Sequence, residues 1–282
     1  MNTLSKISRP RILRAASDRS LTMEEVRACA PAVFQEKAFH TTSDTYAYLP
    51  THMVLTSMLK EGFTVQEVAQ ARPYKKDRDP FAKHMLRLRP PAPTGRSGKP
   101  KVHDIIPELV LVNAHDGTAR YYLYAGLYRY ICSNGMMVGD TFFSMSVAHR
   151  GGEMVQGLVL EGSYKIIKES FPAMLKQVKQ MQAATMRPDQ LTRFATDAIA
   201  LRYPGEMTPV FAPEQLLASR RPDDAGNSVW QVLNRVQENI IEGGFASQSI
   251  LFQRRTTIRA VERVDARVNI NRGLWKLAEA YL

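Results

Sequence analysis

Apolar residues recur at two spacings along this chain, and the spacing changes near Gly162. From Phe81 to Leu160 the period is two, as in strands that turn one face to a core. FAKHMLRLR (81–89) alternates His84, Leu86 and Leu88 against Lys83, Met85, Arg87 and Arg89, which predicts a strand with a basic outer face. Ile105 to Val112 is an apolar run, broken by Asn113-Ala114-His115-Asp116-Gly117 and followed by a second β-prone run. Asp-Gly between two such runs predicts a tight hairpin, because Gly accepts positive φ without a Cβ clash. Alternation puts Arg120, Tyr122, Tyr124, Tyr128 and Tyr130 on one face of the second strand. Leu123, Ala125, Leu127 and Ile131 take the core face, with Tyr121 and Arg129 as exceptions. Met136 to Val147 and Met154 to Leu160 are two further candidate strands, completing an antiparallel meander.

Helical spacing frames this meander. Thr22 is placed to cap a short helix with Glu24 and Glu25 in its first turn, and Thr51 to cap one carrying Val54, Leu55, Met58 and Leu59, ended by Gly62. Phe63 to Arg72 fits strand and short helix equally. After Gly162 the period lengthens to about three and a half residues. Ser163 is expected to cap a helix running to about Thr185 with a kink at Pro172, and Arg187-Pro188-Asp189-Gln190 to open another that ends before Pro204. A short helix is expected from Pro213 to Arg220, and one capped by Asn227-Ser228 and stopped by Gly243-Gly244. A last helix is expected from near Gln253 towards Leu282. The fold class is α+β: an antiparallel β-meander sheet packed with a largely helical C-terminal half. Residues 1–22 read as a flexible basic arm, 23–162 as an α/β region holding the sheet and a mobile Pro- and Gly-rich loop at 89–101, and 163–282 as the helical region.

Charge changes this picture more than length does. Among 282 residues, 38 lysines and arginines stand against 27 acids, a net charge of +11 that favours polyanionic partners. Nucleic acid is the first candidate, then an anionic membrane face or an acidic protein. No apolar run approaches the length of a membrane span. The Arg-bearing N-terminus has no secretory hydrophobic segment, although it shares its composition with organelle transit peptides. Two cysteines far apart, Cys29 and Cys132, give no disulfide framework and no zinc-ligand spacing, and suit a reducing cytoplasm.

Two groups of residues could meet a nucleic acid. Arg120, Tyr122, Tyr124 and Tyr128 form a candidate base-stacking face, and tyrosines at such spacing also pack under a helix. Arg255, Arg259 and Arg263, with Arg267 four residues on, would line one stripe of the last helix, which Glu262 and Asp265 could partly neutralise. Arg87, Arg89 and Lys99 would join them as phosphate contacts. For an enzyme the candidates are Asp104, Glu108, His115, Asp116, Asp140 and His149, but their spacing matches no metal-ligand motif, and His115-Asp116 also reads as turn chemistry. No phosphate-binding glycine loop is present, and no catalytic residue, metal or cofactor is assigned.

The elements Asn113-x-His115-Asp116-Gly117 and Arg129-x-x-Cys132-x-Asn134-Gly135 form a recognisable set with Phe81-Ala-Lys-His84 upstream and Trp230…Val236-Gln-Glu-Asn239 downstream. Together they resemble the phage- and plasmid-like family called domain of unknown function 932, from about Tyr46 to Gly244. Ala114 stands where many relatives carry serine. The resemblance implies a bacterial cytoplasm and a mobile element, and it carries over no catalytic residue. A meander followed by a long helix is also similar in order to ring-forming single-strand annealing proteins, so a homo-oligomer is left open. The expected function is therefore a non-membrane DNA-binding protein, single-stranded DNA favoured, acting in recombination or annealing. The alternatives are a counter-defence protein that binds a host immune or restriction component, and a metal-dependent nuclease.

Overall fold

A computed structural model of the chain describes residues 10–16, 19–43, 46–91, 105–129, 136–137, 144–147, 154–204, 211–248 and 255–282. Two compact units divide it, one formed by Met1–Ser133 with Phe143–Glu169, the other by Asn134–Phe142 with Ser170–Leu282.

The first unit is built on an antiparallel sheet. Strands β1 (Arg11–Arg14), β2 (Thr64–Gln70), β3 (His84–Arg89), β4 (Ile105–Asn113) and β5 (Tyr121–Arg129) lie side by side in chain order. The short β7 (Ser144–Val147) also pairs with β5; β6 (Met136–Met137) falls in the second unit. Helices α1 (Met23–Cys29), α2 (Thr51–Lys60) and α3 (Met154–Lys165) belong to this unit. Thr22 caps α1 through a reciprocal box with Glu25. Pro50, not Thr51, holds the cap position of α2, and Thr51 lies fully buried in the first turn.

Three expectations need correction here. Arg11–Arg14 is a strand edge on β2, not part of a flexible arm. Met154–Leu160 is helical: α3 packs against α2, β5 and β7, and those contacts override the strand-like alternation of MVQGLVL. Ser163 therefore sits inside α3 instead of capping a helix. The expected kink is a π turn at Ile166–Ser170, directly before α4 (Phe171–Ala183), whose Pro172 has no N–H to give to the preceding turn.

Register sorts the sheet into two chemically distinct faces, because directly opposed residues share a face. One holds Val68, Leu86, Leu111 and Leu123 in a row across β2 to β5. The other holds Glu67, Arg87, Val110 and Tyr124 in the next row. Both faces are covered: Leu86, Leu111 and Leu123 are 0% exposed, Arg87 1% and Tyr124 6%. A one-residue bulge at Gln66 keeps β2 and β3 in this register.

The second unit is helical. It holds α4, α5 (Pro188–Arg202), α6 (Glu214–Leu217), α7 (Val229–Glu242), a two-stranded ribbon of β8 (Ala246–Gln248) and β9 (Arg255–Thr257), and α8 (Val264–Glu279). Buried on nearly every side, α7 is the centre against which α4, α5, α6 and α8 pack. Ser228 caps it in a reciprocal box with Gln231, and Gly243 and Gly244 end it at φ of 62° and 86°. A Cβ at Gly243 would sit 2.4 Å from the Ile258 carbonyl oxygen, so the ribbon approaches this closely only because position 243 is glycine. The last helix starts at Val264, and Arg255 belongs to a strand.

Candidate nucleic-acid interface

The expected stacking face is largely closed. Tyr124 is buried, and Tyr122 is half-buried with its ring stacked on that of Tyr124 at 5.6 Å and 10°. Arg120 is exposed on the connection leading into β5. The backbone of Tyr128 opposes Ile106, while its side chain lies outside the described residues, as do Tyr130, Lys99 and residues 92–101 of the expected loop.

Arg87 and Arg89 are not on an outer basic face. A carboxylate oxygen of Glu108 accepts from Arg87 Nε at 2.9 Å and meets its terminal nitrogen at 2.8 Å, and the other oxygen accepts from Arg89 at 3.0 Å. Glu108 is fully buried, and the side chains of Arg87 and Arg89 are 2% and 16% exposed. Glu67 lies opposite Arg87 on the neighbouring strand and pairs with Arg14 at 3.4 Å. The charges therefore alternate across four strands, three arginines against two glutamates, ending at the half-buried Arg14. This ladder satisfies buried charge inside the fold and leaves Arg87 no surface to offer a phosphate.

The Asn113-x-His115-Asp116-Gly117 element also turns inward. Asn113 donates to the Leu49 carbonyl at 3.1 Å and to Thr51 Oγ1 at 2.9 Å, which ties the end of β4 to the start of α2. Thr51 Oγ1 lies 2.8 Å from His84 Nε2 and 3.4 Å from His115 Nε2. His84 Nδ1 faces the Ala82 carbonyl at 3.0 Å. A carbonyl can only accept, so His84 Nδ1 carries a proton and donates to it, and in the neutral ring Nε2 accepts a hydrogen bond from the Thr51 hydroxyl. Tyr46 donates to the Ala114 carbonyl at 2.9 Å, and burial pushes its phenol well above the ordinary tyrosine range; the same cause lifts Tyr48 to about 12. Asp116 accepts from the Thr118 amide and hydroxyl, and Gly117 takes φ of 77°. These inward bonds lengthen the expected tight turn into the connection from Ala114 to Arg120.

Of the residues weighed for a nuclease, Glu108 and His115 are buried and Asp116 closes a turn; Asp104, Asp140 and His149 lie outside the described residues. Among the described residues, no group of three or more His, Cys, Asp or Glu is placed to hold a metal ion.

Arginines and aromatic rings do meet on partly open surface in the second unit, around the C-terminal end of α7. Asn239 donates to the Leu216 and Ala218 carbonyls at 2.9 and 2.7 Å, and its side-chain oxygen accepts from Arg220 Nε at 2.6 Å. Arg220 also reaches the Gly243 carbonyl, and Glu238 pairs with Arg221 at 2.8 Å. Arg202, at the end of α5, donates to the carbonyls of Ile240 and Arg259. Cations gathered at free carbonyls complement the negative end of a helix. Burial pulls Arg202 below the ordinary guanidinium value and raises Tyr203 above the phenol value. Next to these arginines stand three half-buried rings: Tyr203 and Phe211 at 6.3 Å, and Phe211 and Phe245 at 5.0 Å, both edge-on. The Phe245 carbonyl accepts from the Ile258 amide, which brings the segment carrying Arg259 alongside the rings.

Arg255, Arg259 and Arg263 are all exposed, and none forms an ion pair among the described residues. They do not line a helix: Arg255 is in β9, Arg259 in the extended segment that follows, and Arg263 at the cap of α8, while Arg267 is buried. The tyrosines of β5 belong to the first unit and these arginines to the second. Arg202, Arg220, Tyr203, Phe211 and Phe245 were missed from the sequence. The Val236-Gln-Glu-Asn239 element was the available signal, since Glu238 and Asn239 are the residues that hold Arg221 and Arg220.

A family model described as "Domain of unknown function (DUF932)" matches residues 38–275. Two relatives from Escherichia coli (strain K12) align over 266 residues, 94% of this chain and 93% of each relative: the UPF0380 protein YafZ at 36% identity and the UPF0380 protein YfjQ at 35%. No solved structure matches the chain.

Proposed function

We propose that this chain, which belongs to the DUF932 family, binds nucleic acid, preferring single-stranded DNA, in recombination or annealing in a bacterial cytoplasm. The observation that carries the reading is the presence of half-buried rings and unneutralised cations in one unit: Tyr203, Phe211 and Phe245 beside the segment that carries Arg259, with Arg255 and Arg263 exposed on the elements flanking that segment. Sequence-tolerant single-strand binding needs a cationic track for the backbone and aromatic rings on which bases stack. The net charge of +11 adds a long-range attraction for polyanions. Among the described residues no helix is long and apolar enough to cross a membrane.

Fluorescence anisotropy with a labelled single strand and the matching duplex tests this reading. The single strand should bind more tightly, Arg259→Glu should weaken binding several-fold, and Phe245→Ala should weaken the single strand more than the duplex. Absence of binding to either strand form would refute it. Capture of a stoichiometric acidic protein from nuclease-treated bacterial lysate would then favour the counter-defence alternative for the same surface.

A further inference from the structure

The most exposed large hydrophobic side chain among the described residues plays no part in the site above. Tyr74 is 91% exposed, whereas the next exposed large hydrophobic residue, Leu282, reaches 50%. It lies in the connection between β2 and β3, within Arg72-Pro-Tyr-Lys-Lys-Asp-Arg78, where four cations stand against one carboxylate. Lys75 and Lys76, directly after the ring, are exposed.

The base of this connection is braced. The Ala71 amide donates to the Lys83 carbonyl at 2.8 Å, closing the loop where the strands part. Gln70 donates to the Asp79 carbonyl at 2.7 Å, and Arg11 pairs with the Asp79 carboxylate at 2.8 Å. Arg78 turns back over the Phe39 ring at 5.1 Å, and the Arg78 amide donates to the Lys75 carbonyl. Pro73 fixes the backbone immediately before the ring. A held loop therefore presents a bare phenol face to solvent with ammonium groups one and two residues away.

We propose that Tyr74 is a base-stacking finger, with Lys75 and Lys76 on the adjoining phosphates of a single strand. The inference rests on the nucleic-acid reading and adds a contact point in the first unit. Duplex bases offer no free faces, so the finger discriminates for unpaired bases; the lysines attract either form.

The test uses the full chain and an oligothymidylate. Tyr74→Ala should weaken single-strand binding about thirtyfold, the middle of the range for one stacked base, and should leave duplex binding and the thermal melt unchanged. Tyr74→Trp should bind like the wild type, and its emission should be quenched on adding the oligothymidylate. The natural tryptophans, Trp230 and Trp275, are 5% and 0% exposed and supply a steady background. If the wild type binds the oligothymidylate but Tyr74→Ala binds equally well and Tyr74→Trp is not quenched, the finger is overturned and the wider reading survives. Equal losses on single strand and duplex would also overturn it. If the wild type does not bind, both fall together.

Discussion

Glu108→Gln removes the carboxylate that faces Arg87 and Arg89 at the buried centre of the sheet and keeps the side chain's size. Glu108 is fully buried and accepts from both guanidiniums, so the amide would leave two buried cations sharing one neutral oxygen. Its NH2 group would also point donors at donors. Removing one partner of a buried ion pair costs about 3–5 kcal/mol. Glu67 lies opposite Arg87 on the same face and softens the loss, which places the expectation near the lower end, about 3 kcal/mol. At about 2–4 °C per kcal/mol for a unit of this size, the melting point of the sheet should fall by about 6–12 °C. Far-UV circular dichroism during a thermal ramp follows both units, and the emission of Trp230 and Trp275 follows the second alone, so a transition absent from the tryptophan trace belongs to the first. Glu108→Asp keeps the charge at a shorter reach and should lie between the two. A Glu108→Gln protein that melts within about 1 °C of wild type would show that the ladder does not depend on this carboxylate.

Three further outcomes follow from particular contacts. Thr51→Val keeps the shape of the side chain but removes the oxygen shared by His84 and Asn113, and should cost about 1–3 kcal/mol in urea unfolding; an unchanged midpoint would refute the buried network. Gly243→Ala forces a methyl against the Ile258 carbonyl at positive φ and should destabilise the second unit by about 1–3 kcal/mol, read from tryptophan emission, whereas a neutral result would mean that the ribbon can move away. Hydrogen bonding to Arg19 and the Thr22 amide lowers the Glu25 carboxyl to about 2. The α1 cap is therefore fully formed above the ordinary value of 4.5 and is lost as pH falls through about 2; carboxyl NMR should show this midpoint, rising in Arg19→Ala.

Local chemistry was readable wherever one residue has one job. Ser228 with Gln231 starts α7 and Gly243 stops it, Thr22 with Glu25 starts α1, and the apolar runs around Asp116-Gly117 become β4 and β5. Alternation also put Arg87, Arg89, Tyr122 and Tyr124 on one sheet face, as the register has them. It cannot tell whether that face is then covered, because burial of a second face depends on distant segments, and here it turned a basic outer face into a buried charge ladder. Arg255, Arg259 and Arg263 satisfy a helical spacing that an extended chain satisfies as well, and the β-branched run Thr256-Thr257-Ile258 was the opposing signal. The aromatic cluster joins residues 203, 211 and 245, a meeting set by the packing of α5 and α6 against α7 that no local pattern encodes.

The measurement that bears most directly on the central claim is the salt dependence of single-strand binding, wild type against the triple variant Arg255→Ala, Arg259→Ala, Arg263→Ala. The logarithm of the wild-type association constant should fall linearly with the logarithm of salt concentration, and loss of three phosphate contacts should flatten the slope by about 2. A wild-type slope near zero, or a triple variant with the wild-type slope, would contradict the account.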